Sequence, residues 1–193
     1  MSLEVLKKKG KASLRPFVVL MIRLGVSADV LSVTGFLVTI LIGYFYARGN
    51  LLLGGIFILL SGLFDAIDGE VARATGKSSK KGALLDSSID RASEFFIFGG
   101  LLYHFRFDSI SFVIIYLSLI FSILVSYMRA RGEGLGYSAK SGLMDRSGRM
   151  IYLFLASLFG ERAFIPLMAV FMMLTFLTVI QRWLVLRKIL SEK

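Results

Sequence analysis

Five acidic side chains fall within a 26-residue stretch, DAIDGEVARATGKSSKKGALLDSSID, and four of them are aspartates at helical spacing. Asp65 and Asp68 are three residues apart, and Asp86 and Asp90 four apart. On a helix each pair shares one face. Four hard carboxylate oxygens suit Mg²⁺ or Mn²⁺, and the charge suits two ions. Two adjacent divalent ions hold the attacking and leaving oxygens of a phosphoryl transfer. Gly69 directly after Asp68, and Ala72 one turn on, leave that face open to a nucleotide. Arg73 can fork onto a phosphate. Gly82 opens the second helix where a base or ribose could press on the backbone. Glu70 completes the acidic group.

The elements that must hold these residues are membrane helices. The 193 residues are 56% hydrophobic, with a mean hydropathy of +0.75, above the roughly 45–50% apolar content of soluble domains. Apolar segments run over about 28–47, 51–72, 83–105, 109–130, 148–160 and 163–186, most near the roughly 20 residues that cross a bilayer. The expected fold is therefore all-α and integral to the membrane. It has six transmembrane helices in one domain over 1–193, with a juxtamembrane segment over 1–27 and the bundle over 28–187. The N-terminal segment carries Lys7, Lys8, Lys9, Lys11, Arg15 and Arg23. It reads as a short amphipathic helix on an anionic cytoplasmic surface, not as a cleaved signal.

With six spans, all but Arg48, Arg106 and Arg162 of the 23 lysines and arginines lie on one side. That asymmetry assigns the basic side, both termini and the aspartates to the cytoplasmic side of the cell membrane. It also accounts for the net charge of +10 without nucleic acid. The chain has no cysteine, which excludes disulfides and thiolate metal sites. A carboxylate at membrane depth costs about 2.5–3.5 kcal/mol, so a cluster of them needs a cation. A divalent-metal transporter is the distant alternative. It fits less well, because the acids gather near one face and the outer halves of the spans are apolar.

A second group is basic. Arg146 and Arg149 are three residues apart at an expected helix start, where side chains and helix dipole together favour an anion. Arg129, beside Ser126, and Arg182, beside Gln181 in an otherwise apolar span, lie at the same end and could join them. A phosphorylated acceptor would use all four.

The pattern D-x2-D-G-x2-A-R-x8-G-x3-D-x3-D, carried by Asp65, Asp68, Gly69, Ala72, Arg73, Gly82, Asp86 and Asp90, resembles the signature of the CDP-alcohol phosphotransferase family. That resemblance implies a metal-dependent transferase in which Asp65, Asp68 and Asp86 bind metals. Asp90 would be the general base for the acceptor hydroxyl and a further metal contact. Asp65, Asp68, Gly69, Ala72, Arg73 and Gly82 would line the cytidine-diphosphate pocket. Ala28, Asp29 and Ser32 stand where the family often has Pro-Asn-x-x-Thr, which implies nucleotide contacts from Asp29 and Ser32; an ordinary helix cap is the other reading of Asp29.

Three further runs are similar to the branch that makes phosphatidylinositol phosphate or its archaeal ether-lipid counterpart. They are Ser126, Tyr127, Arg129, Ala130, Arg131 and Glu133; then Asp145, Arg146 and Arg149; then Gln181 and Arg182. The resemblance implies transfer of a phosphatidyl-type group from a CDP-linked lipid to inositol 1-phosphate, releasing CMP. Arg129, Arg146, Arg149 and Arg182 would grip the acceptor phosphate. Glycerol 3-phosphate is the alternative acceptor. Relatives of this kind are commonly homodimers, so a homodimer is expected too.

Overall fold

The computed structural model describes residues 14–76, 79–137 and 142–191. Most of the N-terminal basic cluster (Lys7, Lys8, Lys9 and Lys11), together with Lys77, Lys140 and Lys193, lies outside the described residues. Within them the chain is helical throughout. Helix α1 covers 14–23. It is followed by α2 (Ala28–Ala47), α3 (Leu51–Ala74), α4 (Lys80–His104), α5 (Ser109–Gly134), α6 (Arg146–Leu158) and α7 (Gly160–Ser191).

Four of these, α2, α3, α5 and α7, are long and apolar enough to cross a membrane. The protein is an all-α, multi-pass integral membrane protein. Helix α4 begins with Lys80 and Lys81 and carries Asp86, Asp90, Arg91 and Glu94, which dilutes its hydropathy over the half nearest the site. Helix α6 has 13 residues, roughly 20 Å at 1.5 Å per residue, and is shorter than a hydrocarbon core of about 30 Å. It starts two residues before the segment expected at 148–160, and α7 starts three before 163–186. Gly160, at φ +72°, breaks the chain between them.

Caps set the helix starts. Ser27 accepts a hydrogen bond from the N–H of Val30, Asn50 from Leu53, Ser79 from Gly82 and Asp145 from Gly148. The cap of α2 is thus Ser27, and Asp29 sits in the first turn. Asp108 caps α5, and the Ser111 hydroxyl, aided by backbone N–H groups, holds its carboxyl below the usual carboxylate range.

Helix α2 packs against α3 and α4, α5 against α7, and α6 against α3 and α7. The core runs through Phe98, Leu101, Ile115, Leu153, Phe164, Met168 and Phe171, all fully or almost fully buried. The α2–α4 crossing is close because both helices present glycine there. A Cβ built on Gly100 would lie 2.1 Å from the Gly43 carbonyl oxygen, and one on Gly43 2.6 Å from that of Phe96. Small residues give this backbone approach in lipid, where no hydrophobic force drives helices together. Helix α1 buries Val18 against Leu31, Ile67 and Val71. Its Phe17, Leu20 and Ile22 are exposed beside Arg15 and Arg23.

The short α6 decides where a site can form. Its C-terminal end meets the α2–α3 turn, where Ser157, Leu158, Arg48 and Asn50 share a hollow. Its N-terminal end reaches Asp65, nine residues short of the end of α3. Helices α3 and α4 therefore overhang the start of α6 by roughly 13 Å, and the residues beneath sit in a recess inside the bundle.

Candidate functional site

The aspartates converge as helical periodicity requires. Carboxylate oxygens of Asp65, Asp86 and Asp90 all lie within 4.8 Å of one another, a separation at which one cation can be shared. Asp68 is buried on the adjacent face of α3, and its Oδ2 accepts a 2.6 Å hydrogen bond from the Ser32 hydroxyl. Ser32 thus couples α2 to the acidic pair of α3. Arg146, at the first position of α6, donates to Asp65 at 2.6 Å and lies 2.8 Å from Asp90. Arg91 lies 3.5 Å from Asp90 on its other side.

Two cavities flank these carboxylates. A groove of about 190 Å³ collects Asp29, Ser32, Asp68, Gly69, Ala72, Arg73, Gly82 and Asp86. Every residue expected to meet a nucleotide, apart from Asp65, therefore shares one surface. Arg73 lies across its own helix, paired with Glu70 at 2.8 Å, and its guanidinium covers Gly69, where a Cβ would come within 3.2 Å of it. On the other side is a chamber of about 290 Å³. Asp65, Asp90, Glu94 and Arg146 form its polar wall, and Ile58, Ile97, Met150 and Ile151 its apolar wall.

The four arginines separate into different environments. Arg146 faces the acids. Arg129 is exposed and pairs with Glu133 one turn along α5, at 2.9 Å. Arg182 is 2% exposed and donates to the Val125 carbonyl at 2.6 Å. Arg149 is 1% exposed and donates to Glu94 and to the Ser126 hydroxyl. Arg149 and Arg182 are thus both buried with guanidinium nitrogens hydrogen-bonded inside the bundle, while Arg146 opens onto the recess and Arg129 is exposed. Arg129 and Arg182 do come to the same end of the bundle. Val125 and Ser126 tie α5 to Arg182 and Arg149, and the 142–145 turn sits on α7, with Met144 N–H donating to Thr178 at 3.2 Å.

Glu94 is the residue that spacing arguments passed over. It lies one turn beyond Asp90, outside the acidic run, and it is 1% exposed. An acid followed by Phe95, Phe96, Ile97 and Phe98 is costly in lipid, and that cost was the signal available.

The fold and site define an integral membrane transferase built around a carboxylate cluster between two cavities. The chain belongs to the CDP-alcohol phosphatidyltransferase family, whose profile it matches over residues 25–190. It is 39% identical over 161 residues to an archaetidylinositol phosphate synthase of Pyrococcus horikoshii, covering 80% of this chain and 81% of that one. It is 32% identical over 149 residues to a phosphatidylinositol phosphate synthase of Mycobacteroides abscessus, covering 75% and 68%. The crystal structure of Mycobacterium tuberculosis phosphatidylinositol phosphate synthase with CDP-DAG bound is similar, with a TM-score of 0.81 and 26% identity over 89% of this chain and 92% of that one. A second crystal structure of that enzyme, in complex with manganese and citrate, has a TM-score of 0.82.

Proposed function

We propose that this protein transfers a phosphatidyl-type group from a CDP-linked lipid to inositol 1-phosphate, releasing CMP. The observation that carries the reading is the convergence of Asp65, Asp86 and Asp90 within 4.8 Å, beside the groove that gathers the nucleotide-facing residues. The names of the relatives above, and the CDP-DAG bound in one of them, support the choice of donor and acceptor.

The donor set fits a divalent metal. Four carboxylates, Asp65, Asp68, Asp86 and Asp90, face Arg146 and Arg91 as their nearby cations, so negative charge remains to be balanced. All the donors are hard oxygens. Asp65, Asp68 and Asp86 would hold Mg²⁺ or Mn²⁺, with Asp90 contributing, and two ions suit the charge. Held there by these aspartates, a divalent metal would supply charge neutralisation for the diphosphate and for the departing CMP.

The chain's own residues do the rest. Asp29 and Ser32 at the start of α2, with Gly69, Ala72, Arg73 and Gly82, bind the cytidine diphosphate in the groove. Ser32 holds the Asp68 carboxylate in orientation. Arg146, with Arg129, Arg149 and Arg182 at the same end, binds the acceptor phosphate. Asp90 accepts the proton from the acceptor hydroxyl as its oxygen attacks the phosphorus that carries the lipid.

The six helices α2–α7 form the membrane bundle of a single domain over 1–193, with both termini and the recess on the cytoplasmic side, where the basic residues concentrate. The N-terminal helix lies at that surface, and the protein works as a homodimer. The test is CMP release from CDP-diacylglycerol and its ether analogue with inositol 1-phosphate, glycerol 3-phosphate, inositol and serine. Release is expected with inositol 1-phosphate, with loss on chelation and recovery with Mg²⁺ or Mn²⁺. Turnover with glycerol 3-phosphate alone would reassign the acceptor, and metal-independent turnover would remove the role of the aspartates.

A further inference from the structure

A separate groove of about 460 Å³ opens between the ends of α5 and α7, which pack side by side. Arg131 and Leu135 of α5 form one wall, and Trp183, Leu186, Arg187 and Leu190 of α7 the other. No residue of the carboxylate cluster lines it, and neither does any of the four arginines assigned to the acceptor. Arg131 is two residues from Arg129, a step that turns a helical side chain to a nearly opposite face. Arg182 points into the bundle, whereas Arg187, a turn and a half further on, is exposed.

The groove lies where hydrocarbon gives way to water. Helix α7 has 32 residues, roughly 48 Å at 1.5 Å per residue, and overreaches a hydrocarbon core of about 30 Å. Its uncharged run ends at Ile180. Trp183 follows, a residue type that gathers at the level of lipid headgroups. Beyond it Leu184 and Leu190 are still exposed, as is Leu135 across the groove. Leucines at that depth match the glycerol and upper chain region of a lipid better than water.

The charge is one-sided. Arg73, Arg129 and Arg146 each have a carboxylate partner. Among the described residues Arg131 and Arg187 have none, and no acid lines the groove. The Arg187 guanidinium lies over the Trp183 ring, 5.3 Å from its centroid. Stacking of this kind fixes the guanidinium plane and leaves its N–H edge to donate to a phosphate.

We propose that this groove binds one anionic phospholipid from the surrounding leaflet. Arg131 and Arg187 take its phosphate, and Leu135, Leu186, Leu190 and Trp183 take its glycerol and upper chains. A second copy of the chain fits less well, because two-fold pairing sets the same arginines against each other. The chain segments outside the described residues carry more lysine than glutamate, so they do not complement it either.

Trp183 is the single tryptophan and stands in the groove wall, so it reports on the occupant directly. The full chain is placed in vesicles that mix phosphatidylcholine with phosphatidylglycerol, one of the two brominated near the top of a chain to quench indole on contact. Brominated phosphatidylglycerol should reach half-quenching at a mole fraction about ten-fold lower than brominated phosphatidylcholine, the scale of two basic residues facing an anionic lipid. The double variant Arg131→Gln with Arg187→Gln should bring the two curves together. Lys80→Gln with Lys81→Gln removes two exposed charges from the same end of the bundle, away from the groove, and should leave the preference intact. Each preference is a ratio taken within one variant, so modest changes in stability do not imitate it. Equal quenching by both lipids in the wild-type chain would overturn the proposal. So would a preference that survives loss of both arginines, or one lost equally with the two lysines, which would make it a diffuse surface attraction. Absence of quenching by either lipid would also overturn it, since protein would then cover the groove.

Discussion

The neighbours Gly99 and Gly100 provide a matched experiment on how the site is held together. Gly100 is buried in the α2–α4 crossing, and Gly99 is exposed, with nothing within 4 Å of the position a methyl group would take. At Gly100 the added carbon would sit 2.1 Å from the Gly43 carbonyl oxygen and 2.8 Å from the Gly43 Cα, against backbone that cannot swing aside. Ordinary contact begins near 3.4 Å, so the helices must part by about an ångström or more. Overpacking of this kind costs about 1–3 kcal/mol. Both Gly→Ala changes gain about 0.5–1 kcal/mol of helix propensity, so the difference between the variants isolates the steric cost. It is read from unfolding in dodecyl sulfate, followed by the fluorescence of Trp183, the single tryptophan. Gly100→Ala should be less stable than Gly99→Ala by about 1–3 kcal/mol. Because α2 carries Ser32 and α4 carries Asp86 and Asp90, it should also lose more turnover at temperatures where both variants are folded. Equal stabilities, within about 0.5 kcal/mol, would mean that the two helices separate freely and that this glycine contact does not set the site.

Three substitutions test individual side chains. Asp90→Asn should lower kcat by about 10²–10⁴-fold, the usual contribution of a general base, with the thermal midpoint retained; full turnover would refute the assignment. Arg146→Ala should raise the acceptor KM about 10–100-fold, the scale of a hydrogen bond to a charged group, with little change in the KM for the CDP-lipid. Ser32→Ala removes the 2.6 Å bond to Asp68 and should raise the metal concentration for half-maximal rate a few-fold, about 0.5–1.5 kcal/mol; an unchanged metal dependence would detach Ser32 from the site.

Local periodicity made much of this protein legible in its sequence. The spacings of Asp65, Asp68, Asp86 and Asp90 already place two pairs on two helix faces, because side-chain direction along a helix depends only on residue count. Long apolar runs require helices in lipid, since backbone groups there must be satisfied within the segment. The glycine and alanine positions around Asp68 and Asp86 likewise read as an open face, and they do share one groove.

Sequence alone did not determine which cation meets which acid, since that depends on contacts between residues far apart in the chain. Arg146 and Arg149 look equivalent in the sequence, yet one faces Asp65 and Asp90 in the recess and the other is sealed against Glu94 and Ser126. A turn of helix separates them, and only the packing of α6 on α3 and α7 decides which face points outward. The same packing brings Arg149 to Glu94 and lets α6 begin deep enough to leave a recess, and the packing of α2 on α3 joins Ser32 to Asp68 across 36 residues. Spacing along a helix dictates what shares a face; the tertiary arrangement of the helices dictates what that face meets.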